Sequence, residues 1–138
     1  MKRAILLFAV LLTALATFSC GGNPEEKIET SLKAVQTTLP KDLGNGIIYS
    51  KAVYEKSEKT IVFGYTVDGL SDPFPEETVE AMKQAVIASL NVPAVAADPI
   101  WKMAAKAGAS FRYEYALPSG ASAGTFTLTP GEYQRRVQ

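Results

Sequence analysis

The hydrophobic positions of the first part of the chain follow a helical spacing. Apolar residues recur every three to four positions between Pro24 and Pro40, which predicts an amphipathic helix. Asn23 can cap its start, and Glu26 lies three residues later, as in a capping box. Its apolar face is predicted to consist of Ile28, Leu32, Val35 and Leu39.

Two further helices follow from the same spacing. One begins at Pro75, where two glutamates suit a helix start, and ends at about Leu90. The other begins at Pro99 and ends at about Lys106, with Gly108 as its C-terminal stop. A last pattern, Thr-Pro-Gly-Glu from residue 129, resembles a capping box and predicts one short helical turn at the end of the chain.

Elsewhere, apolar and polar residues alternate with a period of two, which predicts strands. Residues 47–54 and 60–67 are joined by the charged segment 55–59 and form a predicted hairpin. The clearest alternation covers residues 110–117, and residues 125–129 form the last predicted strand. The sequence therefore predicts two hairpins, each preceded by helix.

The alternation divides the predicted sheet into two faces. Helices and core are expected on the aromatic face, which carries Tyr49, Phe63, Tyr65, Phe111, Tyr113, Tyr115 and Phe126. Ile47, Tyr49 and Val53 share this parity in the first strand, with Lys51 as an exception. The other face is expected to be open to water or to a partner and carries Val62, Thr66, Arg112, Glu114, Thr125, Thr127 and Thr129.

The element order α-β-β-α-α-β-β predicts an α+β fold, because strands and helices do not strictly alternate. We expect a single domain over residues 24–138, with one four-stranded antiparallel sheet and helices on one face. Residues 24–29 and 75–80 both begin with Pro-Glu-Glu, and an Ala-Val pair recurs at the same offset of 51 residues. Two explanations stay open: a tandem repeat, or convergence on good chemistry for a helix start.

The N-terminus has the layout of a secretory signal peptide. Lys2 and Arg3 precede an apolar run over residues 4–12, and the apolar bias continues to Phe18. We therefore expect residues 1–19 to be removed, although a permanent signal anchor is an alternative. Removing Lys2 and Arg3 from a chain with 14 basic and 14 acidic residues leaves two more acids than bases. This balance gives no electrostatic case for binding nucleic acid.

Cys20 is the only cysteine in the chain, and the chain has no histidine. A Cys-His nucleophile is therefore excluded, and Cys20 has no second cysteine or histidine with which to bind a metal. An intermolecular disulfide stays open, as does cleavage near Cys20 that would give a soluble secreted protein. The remaining interpretation is lipid attachment at this cysteine.

The residues around Cys20 resemble the signal of bacterial lipoprotein precursors. A basic start, an apolar core, Ser19-Cys20 and the spacer Gly21-Gly22-Asn23 match that layout. The resemblance implies a diacylglyceryl thioether on Cys20, an acylated N-terminus and a tether over residues 20–23. Such an anchor would hold the protein on a membrane. Because Gly21 rather than aspartate follows the cysteine, the resemblance also implies the outer membrane of the cell envelope.

The mature part is similar to small bacterial envelope proteins built from helix-plus-hairpin units, including PepSY-like domains and the β-lactamase-inhibitor-protein fold. The order of helices and hairpins carries this similarity. The segment from Asp98-Pro99 through Lys106-Ala107-Gly108 to Arg112-Tyr113-Glu114-Tyr115 also resembles that of uncharacterised secreted bacterial proteins with a helix, a glycine and then a Tyr-x-Tyr strand. The resemblance implies no catalytic residues and no cofactor.

Paired carboxylates are the only candidate chemistry for an enzyme. They occur at Glu25-Glu26, at Glu76-Glu77 and at Glu55 with Glu58, all at predicted helix starts or a hairpin tip. Such exposed positions favour capping over acid–base catalysis. A carboxylate-dependent envelope enzyme is therefore the alternative hypothesis, and no metal site is predicted.

The preferred hypothesis is a membrane-anchored envelope lipoprotein that acts as a non-catalytic binding or inhibitor module. Its partner would be another envelope protein. Tryptophan, tyrosine and arginine are favoured at such interfaces. The predicted partner surface therefore includes Trp101, Tyr54, Arg112 and Glu114.

Overall fold

One five-stranded sheet organises residues 23–137, which are the residues that the computed structural model describes. The predicted signal peptide and Cys20 lie outside these residues. The strands are adjacent in chain order: β1 (Lys41–Asp42), β2 (Ile47–Glu55), β3 (Thr60–Val67), β4 (Ser110–Ala116) and β5 (Ser122–Leu128). The two predicted hairpins are confirmed as β2–β3 and β4–β5.

The sheet is mixed, so the prediction of four antiparallel strands is wrong in two respects. Strands β3 and β4 pair in parallel, with Ile61 opposite Phe111 and Tyr65 opposite Tyr115. Parallel neighbours require a long crossover connection, and the helical segment between Val67 and Ser110 supplies it. The fifth strand, β1, has only two residues and is too short to leave an alternating pattern.

The helices are α1 (Pro24–Gln36), α2 (Glu76–Ser89), α3 (Pro93–Ala96), α4 (Pro99–Ala107) and α5 (Pro130–Val137). Helix α1 packs against β2 and α4, α2 packs against β5, and α5 packs against α4. The expected α+β class is thus confirmed.

The helix ends follow the predicted chemistry in most places. The Asn23 side chain accepts a hydrogen bond from the Glu26 backbone N–H at 2.8 Å, and Asp98 caps α4 through the Ile100 N–H. Gly108 ends α4 in the left-handed conformation at φ +68°, which glycine adopts without steric cost. Pro75 is the N-cap of α2 rather than its first residue.

Helix α5 is longer and better packed than the single turn that the sequence predicts. The Glu132 carboxylate accepts hydrogen bonds from the backbone N–H and the hydroxyl of Thr129, at 2.9 and 3.0 Å, which forms the glutamate half of the predicted capping box. Tyr133 and Val137 are buried, and the Tyr133 hydroxyl donates to the Ala109 carbonyl at 2.6 Å. Thr129 consequently caps this helix instead of extending the open face of the sheet.

A β-bulge between Tyr49 and Lys51 corrects the predicted parity of β2. The extra residue shifts the alternation, as bulges do. Ile47 and Tyr49 face the core, whereas Lys51 and Val53 pair across β3 with Gly64 and Val62 on the open face. Val53 therefore lies on the opposite face from the one expected, and Lys51 is not an exception after all.

The aromatic face forms the core, as predicted. Stacked rings cross the sheet, with Tyr49 on Tyr65 and Tyr65 on Tyr115 at 5.2 Å between centroids, and Tyr113 on Phe126 at 4.8 Å. All seven aromatic residues of the predicted core are buried.

The exposed edges of the sheet are partly closed by neighbouring groups. The backbone N–H of Ala52 in β2 donates to the Gln36 side-chain oxygen at 2.9 Å. On the other edge, the Phe74 N–H donates to the Ala123 carbonyl of β5 at 2.8 Å.

The two Pro-Glu-Glu segments begin their helices in different registers, because the first proline is the first residue of α1 and the second is the N-cap of α2. The tandem repeat stays a prediction.

Candidate binding surface

The open face of the sheet carries a chain of ion pairs. The Arg112 guanidinium contacts the Glu58 carboxylate at 2.8 Å and the Glu114 carboxylate at 3.0 Å. The other oxygen of Glu114 accepts a hydrogen bond from the Lys51 ammonium at 3.2 Å. We call these four residues the sheet-face charge cluster.

Strand register explains why these side chains meet. Lys51 in β2, Gly64 in β3 and Glu114 in β4 occupy one row across the sheet. Gly64 has no side chain, so Lys51 can reach over β3 to Glu114. A Cβ atom at position 64 would come within 2.8 Å of the Lys51 Cβ. The neighbouring row places Arg112 beside Val62, which is fully buried on this nominally open face.

The charges of the cluster hold each other in place. The Glu58 carboxylate is the largest influence that raises the pKa of Arg112, partly opposed by desolvation and supported by Glu114. Because the Lys51, Glu114 and Glu58 side chains are 43, 34 and 58% exposed, these pairs contribute little to stability. Their main effect is to fix a pattern of alternating charges on the surface.

Beside the cluster lies a depression of about 390 Å³. Its lining includes Ser50, Lys51, Gly64, Glu114, Gly120 and Thr125. Around the edge strand, a second groove of about 470 Å³ runs between β5 and α2. Phe74, Val79 and Lys83 form one wall of this groove, and Thr125 and Thr127 form the other. Both depressions are shallow and open to solvent, and they share Thr125.

Of the four residues that the sequence suggested for a partner surface, Arg112 and Glu114 therefore lie together in one cluster. Lys51 and Glu58 complete this cluster, although the sequence interpretation did not include them. The bulge turns Lys51 to the open face of the sheet. Its only sign in the sequence is the break in the alternation of apolar and polar residues in β2. Glu58 lies in a turn, where spacing does not indicate the direction of a side chain.

Tyr54 lies on the helix side of the sheet, away from the cluster. Its hydroxyl donates to the Glu25 carboxylate at 2.9 Å. Desolvation, followed by this hydrogen bond and the Glu25 charge, raises the pKa of Tyr54 to about 12. Tyr54 lines a groove of about 340 Å³ between α1 and β2, together with Glu29, Lys33 and Gln36. It therefore cannot form one continuous site with Arg112.

Trp101 is fully buried, which corrects its prediction as a surface residue. Its ring contacts Phe111 at 4.5 Å and Tyr133 at 5.5 Å between centroids. The packing of α5 over α4 and β4 encloses it, and the sequence pattern gave no sign of that packing. Trp101 is therefore a core residue.

The paired carboxylates have the positions expected for caps. Glu25 and Glu26 lie in the first turn of α1, and Glu76 and Glu77 lie in the first turn of α2. Of the hairpin carboxylates, Glu58 binds Arg112.

Residues 23–137 contain no group of three or more histidine, cysteine or acidic side chains placed to hold a metal ion. Within the same range, no helix is both long and apolar enough to span a bilayer.

Comparison with known proteins gives matches only at the level of structure. No protein-family model and no curated protein matches the sequence. The type II secretion system pilotin AspS of Vibrio cholerae is 16% identical, with a TM-score of 0.52 over 79% of this chain and 91% of that chain. The pilotin EpsS of the Vibrio vulnificus type 2 secretion system is 13% identical, with a TM-score of 0.54 over 83% and 92% of the two chains.

A third structure, a Pseudomonas aeruginosa protein described as secreted, is 13% identical, with a TM-score of 0.50 over 81% of this chain and 97% of that chain. At such low identity, these likenesses establish the fold alone. They do not support the predicted resemblance to PepSY-like domains. The chain has the α+β fold seen in the two Vibrio pilotins.

Proposed function

We propose that this chain is a lipid-anchored, non-catalytic binding module of the bacterial envelope with a pilotin-like role in a type II secretion system. The observation that carries the proposal is the likeness of fold to two pilotins of such systems, over about four fifths of the chain. The lipoprotein-like signal that ends at Cys20 is consistent with this role. The protein would bind another envelope protein rather than transform a substrate.

The sheet-face charge cluster is our candidate for the partner surface. Lys51, Glu114, Arg112 and Glu58 present charges of both signs in a fixed order. Such a pattern favours a partner with the complementary order and repels others, which gives specificity more than affinity. The depression next to the cluster offers space for a partner side chain.

Anchoring would proceed through Cys20. Two residues, Gly21 and Gly22, separate it from Asn23, which caps α1, so the tether covers three Cα–Cα steps and spans at most about 10 Å. The domain would therefore remain close to the membrane, in our proposal the outer membrane. Intact-mass measurement of the protein from bacterial membranes tests this point. A diacylglyceryl-modified and acylated N-terminus at Cys20 is expected.

An unmodified N-terminus would favour a second candidate, a soluble secreted binding protein. The specific observation in favour of this candidate is the likeness to the Pseudomonas aeruginosa protein that is described as secreted. The same mass measurement, made on culture medium and membranes in parallel, separates the two.

Deletion of the gene in its source bacterium tests the role in secretion. Quantitative proteomics of the culture medium should show loss of type II secretion substrates, restored by the wild-type gene and not by C20S. Affinity capture of the wild-type chain from solubilised membranes should recover a component of the secretion system. An unchanged set of secreted proteins, with no such component captured, would overturn the proposal.

The partner surface is tested by charge reversal. R112E breaks two ion pairs and places three carboxylates together, so capture of the partner should fall at least tenfold, which corresponds to about 1.4 kcal/mol. K33E makes the same change in charge at an exposed position of α1 and should leave capture unchanged. If both variants capture the partner equally well, the cluster is not the partner surface. Circular dichroism confirms that both variants are folded.

A further inference from the structure

The helix layer carries a patch of positive charge that the proposed partner surface does not use. Lys102 and Lys106 are exposed and lie one turn apart on α4, so their side chains share a face. Arg135 and Arg136 are exposed in the last turn of α5. We call these four residues the α4–α5 basic patch.

The two helices of the patch are in direct contact. The Gln134 side-chain amide of α5 donates to the Ala105 carbonyl of α4 at 3.3 Å. A depression of about 290 Å³ between the helices is lined by both lysines of the patch together with Ala105, Gln134 and Val137. The lysines therefore flank a small concavity with apolar and amide groups at its base.

Acidic side chains do not neutralise this patch among residues 23–137. None of the four cations forms an ion pair with a carboxylate there. The two nearest acids in sequence are committed elsewhere. Asp98 is buried and accepts from the Ile100 N–H, and Glu132 pairs with Lys83 at 2.8 Å. Within the described part of the chain, the four cations therefore have no carboxylate partner.

The α4 side of the patch lies toward the end of the domain where the tether begins. Tyr54, Ile61, Phe111 and Leu128 form the row of the sheet at this end. The first turn of α1 is fixed here by the hydrogen bond between Glu25 and Tyr54. Helix α4 leads into β4 at the same end, and α5 leaves β5 there. The N-terminal tether and Lys106, in the last turn of α4, therefore belong to the same end of the molecule.

From this arrangement we propose that the α4–α5 basic patch rests on the anionic headgroups of the membrane that holds the protein. The inference depends on the proposed function, because the lipid on Cys20 supplies the tether of about 10 Å. A cation close to an anionic bilayer adds attraction that falls away within a Debye length. A tether of this length allows the domain to rest directly on the bilayer surface, where the patch would come within that range. The open face of the sheet, on the opposite side from the helices, remains free for a partner.

Lysine footprinting of the full mature chain in vesicles tests the proposal. The protein is reconstituted in neutral phosphatidylcholine vesicles or in vesicles with about 30% phosphatidylglycerol, and lysines are acetylated and quantified by mass spectrometry. Lys102 and Lys106 should be labelled at least threefold more slowly on the anionic vesicles, and 1 M salt should remove the difference. Lys33 and Lys41, exposed on α1 and on the strand at the far end, serve as controls and should not change.

Reversal of the patch by K102E and R135E should remove the protection of Lys106, whereas K33E should keep it. Equal labelling of Lys102 and Lys106 on both kinds of vesicle would overturn the proposal, as would uniform protection that includes Lys33 and Lys41. Wild-type labelling alone decides the point if the double variant does not fold. Flotation with neutral vesicles separately reports the lipid anchor, so a failure of the anchor is distinguishable from a failure of the patch.

Discussion

At the scale of single residues, the absence of one side chain shapes the proposed partner surface. Gly64 lies in the central strand, where a glycine without a special role would only weaken the sheet. Here it provides the space through which Lys51 reaches Glu114 across β3. Its φ angle is not in the left-handed region, so the requirement is for space rather than for backbone freedom.

G64A should destabilise the domain by about 1–3 kcal/mol, because the new methyl group overlaps the Lys51 Cβ and cannot move aside within the sheet. Urea denaturation monitored by circular dichroism measures the change. G131A is the matched control, since position 131 lies in α5 with no atom within 4 Å. It should be neutral or stabilising, by up to about 1 kcal/mol. A G64A variant as stable as the wild type would show that Lys51 does not lie over Gly64.

The burial of Trp101 gives a second prediction at this scale. W101A should cost about 3–5 kcal/mol, because it removes a large side chain packed against Phe111 and Tyr133. As Trp101 is the only tryptophan, native fluorescence should be blue-shifted and poorly quenched by acrylamide. V92A, at a half-exposed apolar position, should change stability by no more than about 0.5 kcal/mol. Strong quenching of the native protein would contradict the buried position.

At the scale of elements, local sequence patterns predicted the helix ends and strands well. The pairing of strands that are distant in sequence could not be predicted from such patterns. The Asn23 cap, the stop at Gly108 and the alternation in β4 depend on neighbouring residues, and each was predicted. The parallel pairing of β3 with β4 depends on the path of the helical connection, which hydrophobic period does not encode. Val53 lies on the open face instead of the predicted core face because a single bulge residue shifts the register of β2. The candidate site shares this limit, since the sequence pointed to Arg112 and Glu114 as surface candidates but gave no reason to join Lys51 and Glu58 to them.

Helix α5 illustrates how one carboxylate joins two elements. The hydrogen bond from Lys83 of α2 is the largest influence that lowers the pKa of Glu132, followed by the bond from the Thr129 backbone N–H. A lowered pKa in the folded state means that the unfolded state binds the proton more tightly. The stabilisation is therefore present above the unfolded pKa and is lost as the pH falls through the folded pKa.

E132Q should lower the free energy of unfolding by about 0.5–1 kcal/mol at pH 7. The difference from wild type should shrink as the pH falls through the lowered pKa of Glu132 in the folded state, where the wild-type carboxylate becomes protonated. Urea denaturation at several pH values measures both quantities. E80Q, at an exposed position of α2, is the control and should show no such convergence. A constant difference across the pH range would exclude the charge of Glu132 as its cause.

At the scale of the whole molecule, the sheet separates two surfaces with different proposed partners. Aromatic rings and the helices described between residues 23 and 137 occupy one side of it, and the α4–α5 basic patch is part of that helix layer. The sheet-face charge cluster lies on the other side. A membrane and a protein partner could therefore contact the domain at the same time.

The layering also predicts the order of hydrogen exchange. Strand β3 is paired on both sides and its residues 60–65 are buried, so its amides should exchange only by global unfolding. Amides of β1, and those of β5 that point away from β4, should exchange faster by local opening. Native-state exchange measured by NMR tests this order. Slower exchange at the β5 edge than in β3 would mean that a second chain covers that edge.

The hydrogen bond from Ala52 to Gln36 has a consequence for how copies of the protein could assemble. An assembly that grows without limit by edge-to-edge pairing of sheets requires two free strand edges on every copy, one for each neighbour. On the β2 side, the short strand β1 and the Gln36 amide occupy the edge. Only β5 remains as a long edge, and an edge that pairs with its own kind closes on itself as a symmetric dimer. Strand β1 and the Gln36 side chain together therefore favour closed pairing at β5 over the open-ended growth of fibrils.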